Sequence, residues 1–352
     1  MSTIVHERPG VYSSYEASTL VRRGAGTKTV GVAAKAAGGT AGEVTLVTSY
    51  EAGVQSFGTD GDTPGMETIL KLLFLNGAAV VRAVRVAADG SYSDAFDLLG
   101  LEEDVQVVVC DSGDSAVHQQ LRTSLEAASA ARRERIAVVG GDGEDTEELL
   151  EHSQALNSER MVLVGPDVLD SGGEELSAVF AAAAVAGAIA AGGDPAVPLN
   201  GAALQGLGGV AERYGDSEID TLVRGGVTPL EAVGGVVSPV RGITTRTKTG
   251  GVADSTWREL TTILIVDDVI PTVRSALRSR FSRTKNTAQT RGAIRSQVIL
   301  ELENKLAAEI IDSYGDVTVS VDEAEPTVCV VEFSFAVAHG LNQIYLTAHI
   351  TV

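Results

Sequence analysis

IAVVGGDGEDTEELLEHSQALNSERMVLVGP, residues 136–166, decides the fold class. Its ends, Ile136–Gly140 and Met161–Gly165, are short all-apolar runs closed by glycine, the length and composition of buried strands. Between them Asp145–Leu156 reads as a helix, with Glu147 and Glu148 in the first turn, where acids complement the helix dipole. Strand, helix and strand, with both strands apolar throughout, is the unit of an α/β layer built on a mainly parallel sheet.

The same alternation extends outward. Upstream, KTVGVAAK (28–35), EVTLVTS (43–49), AAVVRAVRV (78–86) and VQVVVC (105–110) read as strands. GMETILKLLFLNG (65–77) reads as a helix stopped by Gly77, and SAVHQQLRTSLEAASAARR (115–133) as another; nothing helical is expected before Met66. Downstream, EELSAVFAAAAVAGAIAA (174–191) reads as a helix and holds the longest apolar stretch, Leu176–Ala191. It is short for a membrane span and rich in Ala and Gly, so a buried helix is expected. From about 194 the texture turns loop-rich. A strand pair around Gly250-Gly251, a helix through Arg283, and a helix over 292–315 with Ile294, Val298, Leu302, Leu306 and Ile310 in register follow. VTVSV (317–321) and PTVCVVEFSFAVAHG (326–340) are strands, and Cys329, Val331, Phe333, Phe335 and Val337 share one face of the second.

Composition narrows the function classes. A net charge of −20 over 352 residues argues against nucleic acid or an anionic membrane as a partner of the whole chain. Charge is also segregated. Residues 94–175 hold twenty acids against five arginines, and residues 241–300 hold eleven basic residues against four acids. Either these are two solvated faces or each faces a different neighbour. Cys110 and Cys329 sit in separate apolar runs and read as two buried thiols, with a disulfide as the alternative. The opening MSTIVHERPG has no apolar leader segment, and folding in the cytoplasm is expected.

The search for chemistry returns little. There is no phosphate-binding G-x-x-x-x-G-K-[ST] loop. The Gly140-Gly141-Asp142-Gly143 turn and Gly206-x-Gly208 resemble fragments of a dinucleotide loop, but the first is crowded with acids where a pyrophosphate would sit. His6, His118, His152, His339 and His349 show no metal-ligand spacing, and His118 and His152 are expected on helices, at the surface or partly packed. Asp267-Asp268, treated as strand neighbours, point to opposite faces and suit ion pairing rather than a shared site. No catalytic residue, cofactor or metal is expected, which points towards assembly. The competing hypothesis is a Rossmann-like enzyme with an oligomerising C-terminal domain.

Residues 344–352 alternate. Ile344, Leu346, Ala348, Ile350 and Val352 point one way, and Tyr345, Thr347, His349 and Thr351 the other. This strand either folds back on CVVEFSFAV through a turn at 339–342 or is donated to the sheet of another subunit, as edge-strand addition allows. Near the other end VYSSYE, with Val11, Tyr12 and Tyr15, offers a second isolated strand without a nearby partner. PTVRSALRSRFSRTK (271–285) carries Arg274, Arg278, Arg280, Arg283 and Lys285 with no acid among them. That row fits either an acidic partner or acids of its own chain.

RGITTRTKTGG (241–251), TWRELTTILIVDDV (256–269), Lys285-Asn286-Thr287, VEFSFAVAHGLNQIYLTAHITV (331–352), RPGVY (8–12), VLVGP (162–166) and DPAVPLNGA (194–202) strongly resemble the tail sheath proteins of contractile phage tails and phage-tail-like bacteriocins. The resemblance implies α/β plus α+β architecture: an N-terminal arm (1–23), an outer α/β portion (24–240), an inner tube-facing domain (241–340) and a C-terminal arm (341–352). Within the outer portion, 88–155 matches no family motif and is expected to be a variable outward segment. The resemblance further implies a structural subunit, not an enzyme, polymerising as stacked hexameric rings around an inner tail tube. Val11, Tyr12, Tyr15, Ile344, Tyr345, Leu346, Ala348, Ile350 and Val352 would then be donated to an acceptor sheet at Val331, Phe333, Phe335 and Val337. The basic row of 274–285 would face the tube. Baseplate and tail terminator proteins would be further partners, and assembly in the bacterial host cytoplasm would precede release in the particle.

Overall fold

A computed structural model describes residues 27–87, 90–322 and 324–349. The order is β1 (Thr29–Lys35), β2 (Val44–Val47), α1 (Tyr50–Phe57), α2 (Met66–Leu75), β3 (Val80–Val86), α3 (Tyr92–Leu101), β4 (Val105–Cys110), α4 (Ser115–Ala130), β5 (Ile136–Gly140), α5 (Thr146–Leu156) and β6 (Met161–Gly165). Then come β7 (Val168–Asp170), β8 (Glu175–Leu176), α6 (Ala178–Ala191), β9 (Leu207–Val210), α7 (Asp216–Arg224), β10 (Val227–Val233) and β11 (Val236–Pro239). The remainder is β12 (Lys248–Thr249), β13 (Val252–Ala253), α8 (Leu260–Phe281), α9 (Ala288–Ala307), β14 (Ile311–Tyr314), β15 (Thr318–Val321), β16 (Cys329–Glu332) and β17 (Phe335–Val337).

Eight strands form one sheet in the order β11-β10-β6-β5-β4-β1-β3-β2. The run from β10 to β3 is parallel throughout, and antiparallel β11 and β2 close its edges. Both faces are covered, which is why the strands carry no polar alternation. Val107 and Val109, Ile136 and Val138, and Val162 and Val164 point into one core with α2 and α6. Val108 and Cys110, Ala137 and Val139, and Met161 and Leu163 point into the other, against residues of α3, α4, α5 and α7. The segment 88–155 is no appendage to this layer, because it supplies β4 and β5 from the middle of the sheet.

The Ala-rich helix lies where its composition sends it. Twelve of the fourteen residues of α6 are buried, and small side chains let it approach its neighbours closely. A Cβ on Gly140 would lie 2.1 Å from the backbone of Ala178, and one on Gly187 would lie 2.8 Å from the Leu73 carbonyl of α2. The glycine turn after β5 therefore admits the start of α6. The Asp167 carboxylate accepts from Gly143 N in that turn at 3.1 Å and from Ala178 N at the start of α6 at 2.7 Å, so both backbone donors are already taken.

Several local expectations are corrected. Helices α1 and α3 fall where none was read. The helix expected over 292–315 stops at Ala307, because Glu309 turns left-handed (φ 57°) and residues 311–314 become β14. The single strand expected over 326–340 is split into β16 and β17. Asp267 and Asp268 lie inside α8, not on a strand. Both cysteines are free; Cys110 is buried but Cys329 only half-buried. His118 and His152 are not surface residues: they are 0% and 4% exposed and hydrogen-bonded to each other.

Candidate assembly interface

The C-terminal domain is built from α8, α9 and one long, broken hairpin. Among the described residues β14 pairs only with β17 and β15 only with β16, so there each of the four strands keeps an open edge. Ile265, Val269 and Val273 of α8 and Val298 and Leu302 of α9 make a small core, and Val331, Phe333, Phe335 and Val337 pack against it. The shared face read from alternation is thus real, although each of these four stays half-buried. Phe333 and Phe335 have ring centroids 6.3 Å apart.

The same helix ties this domain to the central sheet. Arg160, just before β6, donates to Asp267 at 2.8 Å, with both side chains mostly buried. Arg274 donates to Glu134, just before β5, at 2.6 Å. Lys305 of α9 reaches Asp268 at 2.5 Å. Burial lifts the Asp267 carboxyl above its ordinary range despite Arg160. Burial, the largest single influence, would lift Glu134 too, but the Arg274 hydrogen bond, a backbone hydrogen bond and the charges of Arg274 and Arg160 together leave that carboxyl below its ordinary range. A cavity of about 330 Å³ lies beside these pairs, lined by Lys28, Glu134, Asp267 and Asp268 among others. Burial lowers the Lys28 ammonium, which donates to the Gly192 carbonyl at 2.9 Å.

The basic row therefore divides. Arg274 is not a free cation, since Glu134 of its own chain neutralises it, and Arg280 is hydrogen-bonded to Gln297. Arg278, Arg283 and Lys285 are exposed and have no ion-pair partner among the described residues. Glu134 and Arg160, which sequence reasoning missed, carry no local signal: their partners lie 140 and 107 residues away.

Beyond β17 the chain leaves the domain. Gly340 passes so near Pro198 that a Cβ would lie 2.9 Å from its ring, and Asn200 donates to Asn342 at 2.7 Å. Past that brace Ile344, Tyr345 and Leu346 are 79%, 88% and 92% exposed. Residues 341–349 form no strand, with their own hairpin or otherwise, and Ala348 is exposed with the rest. Ile350 and Val352 at this end, and Val11, Tyr12 and Tyr15 at the other, lie outside the described residues. Among the described residues no group of side chains could hold a metal, and no helix is long and apolar enough to cross a membrane.

Comparison with known proteins agrees with this picture. Residues 86–245 match the phage tail sheath protein central domain and residues 252–351 the phage tail sheath C-terminal domain. The central-domain match runs through 88–155, where no motif had been recognised. A tail sheath protein of Bacillus phage SP01 is 32% identical over 268 residues, which is 74% of this chain and 45% of that relative. This chain thus spans about half the length of the curated relative it matches. Among solved structures, a chain of the anti-feeding prophage baseplate superposes with a TM-score of 0.76 at 17% identity, covering 99% of this chain and 100% of that one. A chain of the contracted sheath complex of an extracellular contractile injection system gives 0.73 at 15% identity, covering 99% of each chain. A sheath tail protein of Desulfitobacterium hafniense gives 0.71 at 13% identity, covering 93% of this chain and 100% of that one. With the central and C-terminal domain matches in succession along one fold, this chain belongs to the phage tail sheath family, whose members are structural proteins and not enzymes.

Proposed function

We propose that the chain is the structural subunit of a contractile tail or tail-like sheath. It polymerises as hexameric rings stacked helically around an inner tube, and its rearrangement drives that tube through a target envelope. The observation that carries this reading is the exposed apolar row at Leu341, Ile344 and Leu346, beside a hairpin whose strands all keep open edges. An apolar segment left in water and a sheet with unpaired main-chain groups can satisfy one another by strand addition between copies. In this reading residues 344–352 of one subunit add to the sheet carrying Val331, Phe333, Phe335 and Val337 of another, and the segment with Val11, Tyr12 and Tyr15 adds from a third.

Domain limits follow the same logic: arms at 1–23 and 341–352, an outer portion over 24–240 and a tube-facing domain over 241–340. Arg278, Arg283 and Lys285, with Arg280 beside them, meet an acidic inner tube. Exposed ion pairs are worth about 0–1 kcal/mol each, which suits a contact that must release. Baseplate and terminator proteins bound the polymer, and assembly in the host cytoplasm precedes release with the particle.

Electron microscopy of the purified full chain tests the reading: tubes are expected, and a small closed oligomer overturns it. Deleting Ile344–Val352 should leave a folded protein that makes no tubes. Tubes from the deletion variant would refute donation while leaving the sheath assignment intact.

A further inference from the structure

His118 of α4 and His152 of α5 face one another inside the outer portion, with ring planes within 19° of parallel. They belong to a line of four groups. His118 Nε2 lies 2.6 Å from the Ser112 carbonyl, His118 Nδ1 lies 2.9 Å from His152 Nε2, and His152 Nδ1 lies 2.8 Å from Glu144 Oε1.

Proton counting along that line has one solution. The Ser112 carbonyl only accepts, so His118 carries a proton on Nε2. An ionised Glu144 only accepts, so His152 carries a proton on Nδ1. One more proton must then sit between the rings, or two buried lone pairs oppose each other at 2.9 Å. With it, the two rings and the carboxylate sum to zero charge. Moving a proton from His152 to Glu144 gives two neutral rings and a carboxylic acid with the same count, so all three bonds survive either way. Removing a proton breaks the central bond. Adding one sets two cationic N–H groups against each other with a single carboxylate for both.

We propose that His118, His152 and Glu144 form a single-proton latch that joins α4 to α5 and opens when its proton count changes in either direction. The surroundings favour holding one proton. Asp114 at the start of α4 bears on His118. Asp145 and Glu148 are engaged in the capping box of α5. Asp94 and Asp97 of α3, Asp142 beside Gly113, Glu151 of α5, and Asp216 and Glu218 of α7 are further acids on the packed elements. The arginines of α4 and α7, Arg122 and Arg224, are paired to Glu126 and Asp220. Tyr92 of α3 and Asp111 before α4 are bound to each other. Burial, reinforced by His152, holds the His118 imidazole down to about 4. Its folded value is below the unfolded one of 6.5, so the closed state resists a second proton that the open state accepts. On the acid side closure therefore weakens as pH falls from about 6.5 towards 4, while the alkaline opening comes from loss of the shared proton.

Hydrogen exchange of the full chain, corrected for intrinsic rates and read by mass spectrometry from about pH 5 to pH 9, tests the latch. Peptides over 112–121 and 144–153 should be most protected near neutrality and lose about tenfold protection at each extreme, while β1 and β6 stay protected. In Glu144→Gln the amide can donate to His152 Nδ1, which satisfies the line with two neutral rings, so the alkaline loss should vanish and the acid loss remain. In His118→Gln the amide can bridge Ser112 and His152 with no second ring to protonate, so the acid loss should vanish. Protection that is flat with pH in the wild-type chain overturns the latch whatever the variants do, and so does an alkaline loss unchanged in Glu144→Gln.

Discussion

Replacing Arg160 by alanine should test whether α8 is held to the sheet by charge. The Arg160 and Asp267 side chains are 13% and 14% exposed, and the guanidinium spans both carboxylate oxygens at 2.8 and 3.2 Å. Removing one member of a buried pair leaves the other uncompensated, at about 3–5 kcal/mol when burial is complete. Two features lower that figure here. The residual exposure lets water reach Asp267, and a carboxyl already lifted by burial can take up a proton instead of staying charged. A loss of about 2–4 kcal/mol at pH 7 is expected. The sign with pH follows. Without Arg160 the folded-state pKa of Asp267 rises further above the unfolded one, so the folded chain binds the extra proton and gains stability as pH falls through that window. The deficit should therefore shrink on acidification, by up to about 1.4 kcal/mol per pH unit. Urea unfolding followed by the fluorescence of Trp257, the single tryptophan, measures both effects. Arg160→Ala with Asp267→Asn should recover much of the loss. Arg224→Ala, which breaks a pair 73% and 66% exposed, serves as the control and should cost no more than about 0.5 kcal/mol. An Arg160→Ala loss as small as the control's, or one indifferent to pH, refutes the reasoning.

Gly140→Ala should push α6 off β5 and cost about 3 kcal/mol or more, or abolish soluble expression, because its Cβ would meet backbone rather than a mobile side chain. Arg135, 2% exposed, donates to the Leu99 and Glu102 carbonyls at the end of α3; Arg135→Lys cannot reach both and should lower stability by about 1–3 kcal/mol in the same unfolding assay. Arg274→Gln should cost about 1–2 kcal/mol near neutrality. Glu134 has a lowered folded pKa, so its contribution is present above the unfolded value of 4.5 and is lost as pH falls, and the gap to wild type should close below about pH 4. Reversing Arg278, Arg283 and Lys285 to Glu should leave unfolding unchanged but hinder extended assembly around a tube, seen by electron microscopy. Normal extended tails from that variant would show that this helix end does not meet the tube.

The layer was legible because its central strands are buried on both faces: IAVVG and MVLVG are apolar whichever way a residue points, and VVRAVRV and VQVVVC are interrupted only by Arg82, Arg85 and Gln106. The two missed helices had weak signals. α1 has eight residues with Gly53 at its centre, whose missing side chain makes room for Leu70, and α3 holds Gly100 one residue from its end. The overrun past Ala307 came from Ile310, which keeps the four-residue rhythm of α9 although the backbone has already turned. Alternation did identify the core-facing, half-buried face at 331–337 but not the break within it. The basic row looked unneutralised because its acid, Glu134, is remote in sequence, and the histidine pair looked scattered because 34 residues separate its members. Such contacts are made by the fold and leave no spacing to read.

The three ties of α8 and the brace at the chain's exit would answer a pulling force in different ways. Asp267, Asp268 and Arg274 lie within two turns of one helix and are anchored to three separate elements, β6, α9 and β5. A load along α8 is divided among them, and no tie can part without passing its share to the other two. The segment beyond Gly340 is held at Asn342 by one hydrogen bond, and there a load falls on a single point. Under tension the exit yields first and the helix last.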